Sequence, residues 1–128
     1  MSNTCENKIA VYGSKENIAP FNEYIQGKKR ESEKDNYSTF FSDFIESKLS
    51  VELLAVECFE NRCYIYIDTA WTPPTLAVYG MSKMFPNLIF NLTYRESGSS
   101  FSGFIRLKNL ECLGFDETLK SSTRYSVK

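Results

Sequence analysis

Nucleophilic and metal chemistry in proteins draws heavily on histidine and cysteine; this chain of 128 residues has no histidine and four cysteines. Without an imidazole no Ser-His or Cys-His nucleophile system can form, and the commonest zinc ligand is missing. Cys5, Cys58, Cys63 and Cys112 contain no C-x-x-C spacing. Cys58 and Cys63 flank an expected hairpin turn and can lie opposite each other. The opening residues Met1-Ser2-Asn3-Thr4, however, lack the basic and apolar regions of a secretory leader. A reducing cytoplasmic setting, and therefore four reduced, packed thiols, is expected. No metal and no other cofactor is expected. Glycine patterns that cradle phosphates are absent, since Gly98 and Gly103 flank a hairpin instead of opening a helix. Asp68 close to Trp71 is the carboxylate best placed for a raised pKa, but accepting hydrogen bonds in the turn before Thr72 is the simpler role. The chain is read as a non-enzymatic binding protein.

Binding chemistry is better represented. Aromatic residues make up 15% of the chain, with eight Tyr and ten Phe, and such side chains build both cores and interfaces. Fifteen basic against sixteen acidic residues leave a net charge of −1, so no global field gathers polyanions. Any charged partner must be met by a local patch. Two patches stand out. The first joins Lys28, Lys29 and Arg30, in the polar run 28–36, to Phe41 and Phe44 in the segment that follows. Phe40, Phe41 and Phe44 cannot all enter one core from a short helix, because adjacent positions lie about 100° apart. An exposed Phe41 beside charged residues would form an interface hot spot with a polar rim. The second patch is Lys8, Tyr12, Arg62, Tyr64 and Tyr66, whose alternation places tyrosines on one sheet face. There they could stack single-stranded nucleic acid bases, unless an extra carboxy-terminal strand covers them.

The elements that must position these residues follow from periodicity. Lys8–Tyr12 alternates as a strand ended by Gly13. Ile18, Phe21, Tyr24 and Ile25 mark a helix started near Ser14, interrupted at Pro20 and closed at Gly27. Residues 28–36 read as a charged loop, and 37–48 as a second short helix. Val51–Glu57 and Cys63–Thr69 form a hairpin turning at Glu60-Asn61. Thr72 is expected to cap a third helix with Pro73 at its first position and Trp71 packed beneath it; Pro86 stops that helix. Leu88–Tyr94 and Phe101–Leu107 are strands, Glu111–Phe115 one more, and 117–128 a frayed tail. No apolar run is long enough to span a bilayer. The order is that of one α+β domain over residues 1–128, a ferredoxin-like split βαβ sandwich with an extra helix after the first and an extra carboxy-terminal hairpin strand.

Four stretches carry a family resemblance: Asp68-Thr69-Ala70-Trp71-Thr72-Pro73-Pro74, Met84-Phe85-Pro86-Asn87-Leu88-Ile89-Phe90, Tyr94-Arg95-Glu96-Ser97-Gly98 and Phe101-Ser102-Gly103. With Cys5–Gly13 they resemble the YubB ferredoxin-like domain family of plasmid and phage proteins. Residues 28–50 depart from that family, which carries a tryptophan-containing stretch there. The resemblance implies the fold and an origin in a mobile genetic element, and it supplies no catalytic residues. The function expected from it is modulation or inhibition of a host protein in the host cytoplasm, such as a component of antiviral defence. Nucleic acid is the second expected partner, and no membrane is expected.

Overall fold

In this computed structural model, residues 4–37, 39–44, 50–96 and 101–119 are described. The chain runs β1 (Thr4–Tyr12), α1 (Lys15–Ser32) with a 3-10 turn at Glu33–Asp35, β2 (Val51–Cys58), β3 (Arg62–Ala70), α2 (Thr75–Met84), β4 (Ile89–Glu96), β5 (Phe101–Lys108) and β6 (Glu111–Leu119). The described strands form one antiparallel sheet in the order β2-β3-β1-β4-β5-β6. Its first four positions have the ferredoxin-like arrangement, and β5 and β6 widen the sheet beyond β4.

Period-two alternation decides the two faces. Cys5, Ile9 and Val11 of β1, Cys63, Ile65 and Ile67 of β3, and Phe90 and Leu92 of β4 are fully buried on one face. The helices cover that face with Ile18, Phe21 and Ile25 of α1 and Ala77, Val78 and Met81 of α2. Phe21 meets Phe85 and Phe90 edge-to-face at 5.1 and 5.6 Å, so aromatic contacts join both helical segments to the sheet.

Four local expectations are overturned. The run 28–36 is not a loop: α1 continues through Gly27 to Ser32. Ser14 caps its start, its hydroxyl accepting from the Asn17 N–H. Ion pairs Lys28–Glu31 and Lys29–Glu33 at helical spacing favour this extension. Residues 39–44 form successive turns rather than a helix, closed by hydrogen bonds from the Phe40, Ser42 and Phe44 N–H groups to carbonyls three residues earlier. The rest of the expected helix, Ser38 and residues 45–48, lies outside the described residues. Trp71 is not packed beneath α2; it is 53% exposed, with a left-handed φ of 69°. The residue preceding α2 is Pro74, with no side-chain cap, and Thr72 is exposed. The Thr69 hydroxyl donates instead to the Thr72 carbonyl at 2.6 Å, holding the bend from within. Finally, Cys58 and Cys63 are not separate thiols but a disulfide across the β2–β3 hairpin, with Cα atoms 4.0 Å apart. Cys5 is a free buried thiol and Cys112 a free exposed one.

At the carboxy-terminal side, residues 117–119 belong to β6, while the remainder of the expected tail lies outside the described residues. Asn109 and Leu110 both have positive φ, as a two-residue hairpin turn of this hand requires. The Leu110 N–H donates to Ser82 Oγ at 2.9 Å, so α2 secures this turn.

Candidate functional site on the open sheet face

The face opposite the helices is assembled row by row across the sheet, and the register places each side chain. Opposite Tyr64 on β3 lie Glu57 of β2 and Ala10 of β1; the row continues through Asn91 and Arg106. One pleat along, Tyr66 is followed by Lys8, Thr93, Phe104 and Asp116. At the hairpin end Arg62 lies opposite Tyr12. At the other end Glu52, Asp68 and Glu6 stand side by side, followed by Arg95.

Around Tyr64 the rings and cations are in contact. Tyr12 and Phe59 approach it edge-on, at 6.5 and 6.1 Å between ring centroids. Lys8 Nζ sits 4.8 Å from the Tyr64 centroid and 6.0 Å from that of Tyr66. The Arg62 guanidinium lies 4.7 Å over Phe59. Phe59 and Tyr12 are 48% and 38% exposed, so the group meets solvent. Beside it opens a cleft of about 840 Å³, lined by Tyr66, Phe104, Lys8, Asn91, Arg106 and Asp116 among others. The extra strand β6 adds to the sheet at its far edge and does not lie over Tyr64 or Tyr66.

Charge is divided along this face. The hairpin end and centre carry Arg62, Lys8 and Arg106 together with Glu57 and Asp116, whereas the opposite end carries Glu52, Asp68 and Glu6 with Arg95. Burial, followed by the neighbouring charges of Glu52 and Glu6, holds the Asp68 carboxyl above its usual range. Glu6 is met by Arg95 at 2.6 Å. On the covered face, burial pushes the Cys5 thiol up to about 11, which leaves it protonated at neutral pH. The Asn7 amide ties this end together, donating to the carbonyls of Cys5 and Ile67 and to Thr69 Oγ1. Among the described residues, no group of three or more Cys, Asp or Glu is arranged to hold a metal ion.

The residues Lys8, Tyr12, Arg62, Tyr64 and Tyr66, singled out in the sequence, are thus brought together. Lys28, Lys29, Arg30, Phe41 and Phe44 do not make the expected hot spot. Phe41 is 2% exposed and packs on Phe40 in the core. Phe44 is half-buried beside Tyr24 and lies against Gly80, where a Cβ would collide with its ring. Lys28 is held between Glu31 and Asp43, at 3.5 and 3.4 Å, and Lys29 by Glu33 at 3.5 Å. Arg30 is exposed, with no ion pair to another of the described residues. Sequence reasoning missed Phe59, Phe104, Asn91 and Arg106. The alternation of Phe104 and Arg106 was readable, but their place beside β1 required knowing that β5 joins the sheet next to β4.

Residues 56–120 match the family described as a ferredoxin-like domain in Api92-like protein. The chain belongs to this family. The match runs from the end of β2 to the last described strand and its following residue, so it contains Phe59, Arg62, Tyr64, Tyr66 and Arg106. No curated protein and no solved structure matches the chain significantly. Among the described residues, no helix of this Api92-like domain is long and apolar enough to cross a membrane.

Proposed function

We propose that this Api92-like domain binds single-stranded nucleic acid on its open sheet face and catalyses no reaction. The observation that carries this reading is the Tyr12–Tyr64–Phe59 group with Lys8 and Arg62 stacked on it, beside a cleft walled by Tyr66 and Phe104. Aromatic faces stack any base, and nearby cations neutralise the backbone, so this combination suits single strands of varied sequence. A duplex hides its base faces and gains only phosphate contacts. Glu6 and Asp68 of the acidic row line the far end of the same cleft and repel phosphates, which favours a strand lying toward the hairpin end of the face. The test is fluorescence anisotropy with labelled oligothymidylate and oligouridylate of roughly ten nucleotides, a size typical of single sheet-based platforms. Binding at low salt, with weaker binding of the matching duplex, is expected. Equal affinity for duplex, or no binding at low salt, overturns the reading.

A second reading is favoured by Trp71, whose exposed indole on a left-handed backbone is the kind of rigid anchor found at protein interfaces. On this reading the chain is a phage- or plasmid-encoded cytoplasmic protein, of the YubB type indicated by its sequence motifs, that inhibits a host defence protein. Affinity capture from host lysate with and without nuclease separates the two. Capture of one protein that survives nuclease and is lost in Trp71→Ala supports the second reading; material lost on nuclease treatment supports the first.

A further inference from the structure

We propose that the Cys58–Cys63 disulfide is a redox latch on the Phe59–Arg62 end of the binding face, closed in the binding form and opened by a small thiol reductant such as glutathione. The proposal rests on the single-strand reading of the open face and adds its regulation. Cys58 and Cys63 are opposed in the β2–β3 register and bracket the four residues 59–62. Two of those four, Phe59 and Arg62, supply the stacked pair that abuts Tyr64. Apart from the disulfide, the tip is held by the Phe59 N–H to Arg62 carbonyl bond at 2.7 Å, the Gly13 N–H to Asn61 carbonyl bond at 3.3 Å, the exposed Lys15–Glu60 ion pair at 3.5 Å and the pairing of Arg62 with Tyr12 in the β1–β3 ladder. β2 is an edge strand, and its register shifts between Leu53 and Ala55. Edge hydrogen bonds at a hairpin tip open readily once the covalent tie is gone.

The burial of the two sulfurs sets the order of the exchange. Cys63 is fully buried, whereas Cys58 is half-buried on the edge strand, so an incoming glutathione thiolate reaches Cys58 Sγ first. A mixed disulfide forms at Cys58, the Cys58–Cys63 bond breaks, and the Cys63 sulfur leaves with the electron pair and takes up a proton. A second glutathione thiolate attacks the glutathione sulfur of the mixed disulfide. That step releases the Cys58 thiol and oxidised glutathione, so one disulfide is consumed and one is made. Phe59, just past the end of the edge strand, is then held by its N–H bond to the Arg62 carbonyl and its ring contacts with Tyr64 and Arg62, while Arg62 stays paired with Tyr12 in the β1–β3 ladder, so the platform loses its Phe59 end.

The test compares the full chain oxidised, reduced with glutathione, and as the double variant Cys58→Ser/Cys63→Ser. Thiol counting in denaturant should find two free thiols in the oxidised chain and four after reduction. Reduction should accelerate amide exchange at the tip, weaken binding of labelled oligothymidylate about tenfold, and be reversed by oxidised glutathione; the double variant should behave as the reduced chain. Four free thiols in the chain after treatment with oxidised glutathione overturn the latch. Equal affinity of the two states, in a chain that does bind the oligonucleotide, overturns the latch and leaves the single-strand reading standing. No binding in either state overturns that reading and the latch with it.

Discussion

Replacing Tyr64 by alanine removes the ring on which the proposed platform is centred. Loss of one base–aromatic stack is worth about 1–3 kcal/mol, which is roughly a 5- to 150-fold loss of affinity. The structural cost should be smaller. Tyr64 lies on the solvent side of the sheet, where its ring meets Tyr12 and Phe59 edge-on, and cross-strand side-chain pairs of this type contribute about 0.2–1 kcal/mol each. The variant should therefore unfold in urea within about 2 kcal/mol of the parent while binding oligothymidylate at least fivefold more weakly. Tyr64→Phe keeps the ring face and should keep the affinity. Ionic strength gives a second measure. Three cations, Lys8, Arg62 and Arg106, border the rings and the cleft, so log affinity should fall with log salt at a slope of about −2. An unchanged affinity in Tyr64→Ala refutes the stacking argument. A variant that loses binding only because it unfolds leaves Tyr12→Ala as the deciding case: its ring is more exposed, and parental affinity in that folded variant also refutes stacking.

Phe41→Ala should lose about 3–5 kcal/mol in denaturant unfolding, the range for emptying a buried aromatic site; an unchanged midpoint would return Phe41 to the surface. Gly27→Ala should stabilise the chain by about 1 kcal/mol, because a Cβ there meets only Arg30 Nη2 at 3.9 Å and alanine is the better residue inside a helix. A loss instead would mean that α1 ends at Gly27. Asp68→Asn should stabilise by about 0.5 kcal/mol at pH 7 by removing like charges set directly opposite each other. The folded chain binds the Asp68 proton more tightly than the unfolded chain, so this residue's contribution is favourable at low pH and lost as pH rises through its folded pKa. The advantage of the variant should thus fade below about pH 4, and a benefit independent of pH would exclude the charge explanation.

How much was legible beforehand depended on the range of the interactions involved. The alternation of Ile9 and Val11, and of Cys63, Ile65 and Ile67, marked the buried sides of β1 and β3 because side-chain direction in a strand repeats every two residues. It equally placed Lys8, Tyr12, Arg62, Tyr64 and Tyr66 on the other side. Order and spacing of the elements were enough for the ferredoxin-like domain that the family match supports. Helix ends were less legible. Gly27 and the charges after it resemble a stop, yet α1 continues because Lys28 and Lys29 find carboxylates at helical spacing and Lys28 also meets Asp43, a residue from a later segment.

Phe41 illustrates the remaining gap. Helical periodicity would force one of three nearby phenylalanines outward, but a chain of tight turns does not obey that period, and both Phe40 and Phe41 reach the core. Trp71 shows the reverse. Its hydrophobicity pointed inward, but hydrogen bonds through Asn7, Thr69 and Thr72 hold its backbone in a bend that leaves the indole in solvent. The sequence alone determined which residues share a strand face, since that depends on the backbone's own repeat. Tertiary structure alone decided that β6 extends the sheet instead of covering the tyrosines and that Phe104 and Arg106 join them. Those outcomes depend on strand order and register, which are set by contacts between segments far apart in the chain.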